Sequence, residues 1–236
     1  MPPAWPARVE TVLLDAGGVL LDLDFKYVRR LIEPRRDPAM PAIDETELSC
    51  LEARARQEVQ RQVQAGGRMR DVWRDYFHII LGGVHVPAAE QPGLIDSLWE
   101  VHQRFGLWTV AIDGAPQAVA ELRRRGFELG VVSNAEGRVA EDLDSAGYEG
   151  LFTTVVDSHV VGVEKPDPRI FEIAMERLGA KSETTIYLGD VPAVDVEGAK
   201  AARITPVLVD MHGLYRSVDV RRIDSIRELP GLLDGA

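Results

Sequence analysis

Val12-Leu13-Leu14-Asp15-Ala16-Gly17-Gly18-Val19-Leu20 is the stretch that decides the fold. An aliphatic run ends in a carboxylate, two glycines follow, and apolar residues resume. Residues 12–14 are predicted as a buried strand, because an unbroken aliphatic run suits a strand covered on both faces. Asp15 then falls at the strand's carboxyl end, where ligands bind in open parallel sheets. Gly17 and Gly18 permit backbone angles and close approaches that a side chain would block. Taken alone, Asp15 reads better as a turn or helix-cap residue. Three segments further along the chain change that balance.

At 236 residues the chain can bury a sizeable core, as one domain or as a domain carrying an insertion. A formal net charge of −11 disfavours nucleic acid or an anionic membrane as partner, and an anionic substrate needs a local positive centre. Cys50 is the single cysteine, which excludes an intramolecular disulfide and a cysteine metal cluster and fits a reducing compartment, the cytoplasm. Residues 1–8 are Pro-rich without an apolar core, so no signal peptide is expected there. No apolar run reaches the length of a membrane span.

Working outward from the opening strand, residues 25–32 are predicted helical, and Pro34, Pro38 and Pro41 make 33–43 a connector. Leu48, Leu51, Ala55, Val59 and Val63 recur at helical spacing until Gly66-Gly67. Trp73, Tyr76, Phe77 and Ile80 share a second helix face, and Leu94, Leu98, Val101 and Phe105 a third; core packing explains these stripes. Residues 25–110 therefore read as all-helical, with no strand. Beyond them the pattern alternates. Helices are expected at 115–122, 139–146, 168–178 and 194–202, and strands at 127–132, 153–156, 185–188 and 206–209. A last short strand or helix is expected in 223–233. Such alternation means a parallel sheet. The fold class is thus α/β: a Rossmann-like parallel sheet core flanked by helices, formed by residues 1–24 and 111–236. An all-helical cap domain, 25–110, is inserted just after the first strand and is expected to lie over the sheet's carboxyl edge as a lid.

Four segments converge on that edge. Asp15 ends the first strand. Ser133 and Asn134 end the second, offering a hydroxyl and amide donors. Lys165, in Glu164-Lys165-Pro166, offers an ammonium just before a helix. Gly189-Asp190 ends a further strand, with Asp195 following. Singly, Ser133 and Asp190 read as helix caps and Lys165 as a surface charge. Together and in this order they suit phosphoryl transfer. A carboxylate can attack phosphorus, Mg²⁺ between two carboxylates relieves their repulsion, and an ammonium offsets phosphate charge.

These four segments together resemble the motifs of the haloacid dehalogenase superfamily, in the branch with a helical cap between the first and second motifs. The resemblance covers nearly the whole chain. It implies that Asp15 is the nucleophile, working with Ser133 and Lys165. It implies that Asp15, the Gly17 carbonyl and Asp190 hold Mg²⁺. Ser133, Asn134, Lys165 and Gly18 would bind the phosphoryl group, and Asp195 would support the site by orienting Lys165 or a metal-bound water. The implied partner is a small phosphorylated metabolite, bound by a monomer or homodimer, with no nucleic acid and no membrane involved.

One position departs from the pattern. Phosphatases of this superfamily usually carry a second Asp two residues after the nucleophile, as general acid and base. Here Gly17 stands there and has no proton to give, where such help is typically worth ~10²–10⁴-fold. Three readings follow: a phosphatase for good leaving groups such as sugar 1-phosphates or acyl phosphates, a haloacid dehalogenase-type C–X hydrolase using the same nucleophile, or a phosphate-binding regulatory module. The intact Gly189-Asp190 pair favours metal and phosphate. Asp22 and Asp24 are best read as caps of the next helix, with Asp24 the alternative acid. Arg29, Arg30, Arg70 and Arg74 are cap candidates for substrate contact, though surface charge explains each. His78, His85, His102 and His159 lack metal-ligand spacing. Trp108 reads as hinge packing, and Arg203 stands where a helix-stopping glycine is usual.

Overall fold

The computed structural model describes residues 5–37, 39–67 and 72–234, so Pro38 and Arg70 lie outside the described residues. The chain divides into two compact units, Leu23–Leu107 and the remainder on either side.

The discontinuous unit is built on a parallel sheet. Its strands are β1 (Thr11–Leu14), β4 (Glu128–Ser133), β5 (Thr154–Asp157), β6 (Thr185–Gly189), β7 (Thr205–Val209) and β8 (Arg221–Ile223). They lie in the order β5-β4-β1-β6-β7-β8, and every neighbouring pair is parallel. β1 is therefore central, in register with β4 on one side (Leu14↔Val131) and β6 on the other (Leu14↔Leu188). Strand alternation sends Val12 and Leu14 to one face, packed with α5 (Ala115–Arg124) and α6 (Val139–Leu143). Leu13 goes to the opposite face, packed with α8 (Pro168–Leu178) and α9 (Glu197–Ala201). Both faces are covered, which is why the strands read as continuous apolar runs. This is the expected Rossmann-type sheet flanked by helices. It brings the carboxyl ends of β4, β1 and β6 side by side.

The helical unit consists of α1 (Phe25–Ile32), α2 (Glu45–Gln64), α3 (Trp73–Gly83) and α4 (Gln91–Phe105). Asp24 caps α1 by accepting from the Tyr27 amide at 2.8 Å, and Asp44 caps α2 through the Thr46 amide. Asp24 thus acts as the helix cap expected of it. The buried Glu52 is held by Arg56 and by the Tyr76 hydroxyl at 2.8 Å. No helix among the described residues is long and apolar enough to cross a membrane.

Several expectations need correction. β2 (Leu21–Leu23) and β3 (Trp108–Ala111) form a two-stranded ribbon where loop and hinge were expected. Each is too short to show a period. Phe105 was placed on the apolar stripe of α4 but is 64% exposed, because it occupies the last helical position beside the Gly106 stop. The helix expected at 139–146 ends at Leu143 and continues as a wider turn, Asp144–Tyr148, with Gly147 at φ 93°. The one expected at 194–202 likewise opens with a wide turn, Pro192–Val196, before α9. A short helix, α7 (Ser158–Val161), follows β5 unannounced. The tail carries both a strand, β8, and a helix, α10 (Leu229–Leu232).

Candidate functional site

Asp15 follows the last residue of β1, and its amide donates to the Leu188 carbonyl of β6 at 2.8 Å. Its Oδ1 accepts from the Ala16 amide at 2.7 Å, which fixes the carboxylate against the start of the turn. In that turn Gly18 has φ +73°, a conformation glycine adopts without strain, and donates its amide to the Leu21 carbonyl at 2.8 Å. The Gly18 N–H is thus engaged within the turn. Among the described residues, a Cβ placed on Gly17 meets Trp108 Cδ1 alone, at 3.7 Å, an ordinary contact.

Lys165 reaches the cluster from the loop before α8. Its main chain is clasped by the Asn134 carboxamide: Oδ1 accepts from the Lys165 amide at 2.7 Å, and Nδ2 donates to the Lys165 carbonyl at 3.0 Å. The buried Nζ lies 2.8 Å from Asp15 Oδ2 and 2.8 Å from Asp195 Oδ1. Asp167 then caps α8 through the Arg169 amide, and Pro168 opens the helix.

Asp190 follows β6, and Asp195 folds back from the wide turn beneath it. Asp195 Oδ2 accepts the amides of Asp190 at 3.0 Å and Val191 at 2.8 Å, which sets the backbone that carries Asp190. Its Oδ1 accepts from Lys165 and from the Tyr187 hydroxyl at 2.9 Å. Both Asp195 oxygens are therefore saturated from within the protein. One oxygen from each of Asp15, Asp190 and Asp195 falls within 4.8 Å of the others.

The structure thus gathers Asp15, Lys165, Asp190 and Asp195 into one buried cluster. Ser133 ends the adjacent strand β4 and is buried, while Asn134 contacts the main chain of Lys165. Three residues that sequence reasoning passed over also belong here. Asp157 Oδ2 accepts from the Gly137 amide at 2.9 Å, and Ser158 Oγ from the Ala135 amide at 3.1 Å, so the end of β5 tethers the loop that follows Ser133. Tyr187 is the third. Its signal was a tyrosine inside an otherwise apolar central strand, where a buried hydroxyl must find a partner. In the helical unit, Arg74 pairs with Asp96 at 2.5 Å, Arg29 with Glu33 at 3.8 Å, and Arg30 stacks on Tyr27.

The electrostatics follow from three carboxylates around one ammonium in a buried place. Burial works against the Lys165 charge, but Asp15 and Asp195 outweigh it and hold the ammonium above its ordinary range. Burial pushes the Asp15 carboxyl up, Lys165 opposes this, and the Asp195 charge adds to it. Burial, then Asp15 and Asp195, push the Tyr187 hydroxyl well above its ordinary value, so it stays a proton donor.

The surplus of negative charge tests the fit of a cation. With Asp195 saturated, Asp15 and Asp190 are the carboxylates that suit one, and hard oxygen donors of this number suit Mg²⁺.

Comparison with known proteins agrees with this geometry. A family description, haloacid dehalogenase-like hydrolase, matches residues 9–203. The chain is 34% identical over 142 residues to haloacid dehalogenase-like hydrolase domain-containing protein 3 of Mus musculus, covering 59% of this chain and 56% of that protein. It is 40% identical over 118 residues to a phosphoserine phosphatase of Thermus thermophilus, covering 50% and 46%. The matches thus span about half the length of these curated relatives. The HAD-hydrolase YfnB of Bacillus subtilis superposes with a TM-score of 0.66 at 21% identity, over 96% of this chain and 99% of that one. An L-2-haloacid dehalogenase of Xanthobacter autotrophicus shares the fold at a TM-score of 0.61 and 18% identity, over 96% and 99%.

Proposed function

The chain belongs to the haloacid dehalogenase-like hydrolases, and within them we propose that it is a Mg²⁺-dependent phosphatase acting on a small phosphorylated metabolite through Asp15. The observation that carries this reading is the buried acidic cluster: Asp15, Asp190 and Asp195 around Lys165. A site for attack on a carbon–halogen bond has no need of three carboxylates gathered beside one ammonium. A site for a divalent cation and a phosphate does. The match to a phosphoserine phosphatase supports the same choice.

In this reading an Asp15 oxygen bonds to phosphorus while the bond to the leaving oxygen breaks, the electron pair departing with that oxygen. Water then bonds to phosphorus while the bond from phosphorus to Asp15 breaks, the electron pair returning to the carboxylate and the water's proton leaving to solvent with the released phosphate. Mg²⁺, held by Asp15, Asp190 and the Gly17 carbonyl, would neutralise phosphate charge. Lys165 would offset charge on the phosphoryl oxygens, with Ser133 as a further donor to them. Asn134 places Lys165, and Asp195 orients both Lys165 and the Asp190 backbone. Gly17 supplies no proton, so the substrates are those whose leaving group needs little protonation, acyl phosphates and sugar 1-phosphates. The helical unit selects among them. The single cysteine supports a cytoplasmic enzyme.

The test is hydrolysis of p-nitrophenyl phosphate and a panel of acyl and sugar phosphates, with and without Mg²⁺. Metal-dependent turnover lost in Asp15→Asn is expected. Halide release from a 2-haloacid without metal, or phosphate binding with no turnover of any compound, would overturn the reading.

A further inference from the structure

We propose that Tyr187 is a positioning residue, whose hydroxyl fixes the direction of the Lys165 ammonium during turnover. The inference rests on the phosphatase reading above and extends it to a residue outside the four motifs. An ammonium has three N–H donors. In Lys165 they meet Asp15 Oδ2 at 2.8 Å, Asp195 Oδ1 at 2.8 Å and the Tyr187 hydroxyl at 2.9 Å. The Tyr187 hydroxyl in turn donates a hydrogen bond to Asp195 Oδ1 at 2.9 Å, with the Val132 carbonyl at 3.3 Å as a second acceptor. Lys165, Asp195 and Tyr187 thus close a triangle of hydrogen bonds below the nucleophile.

The triangle matters once Asp15 is engaged with phosphorus. The Asp15 oxygen then ceases to be a full acceptor, and one N–H of Lys165 is released toward the phosphoryl oxygens. Two fixed contacts, Asp195 and Tyr187, determine where that N–H points. With Asp195 alone, the ammonium rotates about the Cε–Nζ bond and its free donors sample other directions. Small displacements of a charged donor cost rate more than binding, because the charge it meets grows in the transition state.

The ring itself is held independently of the hydroxyl. It is fully buried and meets Phe171 edge-to-face, with centroids 4.8 Å apart. Tyr187→Phe therefore keeps the packing and removes only the hydrogen bonds.

The experiment measures Tyr187→Phe beside wild type, Asp15→Asn and Asp195→Asn, with p-nitrophenyl phosphate and Mg²⁺. Tyr187→Phe is expected to lower kcat roughly tenfold with KM nearly unchanged and with only the modest fall in Tm that losing buried hydrogen bonds brings. Inhibition by orthovanadate, which imitates the transition state, should weaken by a similar factor, while inhibition by inorganic phosphate stays the same. Tyr187→Phe added to Asp195→Asn should cost little more than Asp195→Asn alone, since both open the same triangle. A kcat within twofold of wild type, a change confined to KM, or fully additive losses would overturn the role of Tyr187 while leaving the phosphatase intact. If wild type hydrolyses no phosphate ester, both proposals fall. If Tyr187→Phe loses stability, the vanadate-to-phosphate inhibition ratio of its folded fraction still decides: an unchanged ratio overturns the role.

Discussion

A Cβ placed on Gly189 falls 2.3 Å from both Cβ and Cγ of Asp195. Carbons that are not bonded do not approach so closely. The last residue of β6 is glycine because the Asp195 carboxylate occupies the space a side chain would need. Gly189→Ala must push Asp195 away from Lys165 and from the amides of Asp190 and Val191. A loss of about 1–3 kcal/mol in stability is expected by urea unfolding, together with a severe loss of turnover.

Asp195 itself accepts four hydrogen bonds from within the protein. Asp195→Ala leaves a buried ammonium short of a counter-charge and strands two backbone amides. Its cost is expected near 3–5 kcal/mol. Asp195→Asn keeps the shape and part of the bonding and should cost clearly less. Equal losses in the two variants, measured by equilibrium denaturation, would contradict this account of the carboxylate.

The surplus negative charge of the cluster predicts a response to metal that does not depend on turnover. On the proposed assignment Mg²⁺ would bind the folded cluster and not the unfolded chain, so it should raise Tm progressively with concentration. Asp190→Asn removes one of the proposed ligands and should abolish most of that rise, while EDTA returns wild type to its metal-free Tm. A Tm indifferent to Mg²⁺ in wild type would contradict the assignment.

Arg203 follows α9 with φ +61°, a left-handed conformation that a side chain adopts at a cost. Arg203→Gly relieves that cost and is expected to stabilise the protein by about 0.5–1 kcal/mol, with activity unchanged because Arg203 holds no position in the acidic cluster.

How much of this was legible in the sequence depends on the range of the interaction. The central strand, α1 and α8 were readable because aliphatic runs, capping carboxylates and stop glycines act locally. The convergence of Asp15, Lys165, Asp190 and Asp195 was readable because each stands at a strand end or helix entry, places that topology brings together. The β2–β3 ribbon was not. Its two short strands are joined only through a pairing across the whole helical insertion, and neither shows a period of its own. Tyr187 was read as one more buried strand residue, and its partners lie on three other segments. Asn134 reads as part of a phosphate-binding strand end, and what its spacing does not reveal is that its carboxamide also clasps the main chain of Lys165. Periodicity tells which face a residue takes, not what its polar tip meets there.

The central claim is that Asp15 takes up the phosphoryl group. It is tested most directly by mixing the protein and Mg²⁺ with a ³²P-labelled acyl phosphate, quenching in acid within one turnover, and digesting to peptides. The account predicts label on the peptide that carries Asp15, stable to acid, released by hydroxylamine, and absent from Asp15→Asn. Hydrolysis that proceeds with no label on that peptide, and at an undiminished rate in Asp15→Asn, would contradict it.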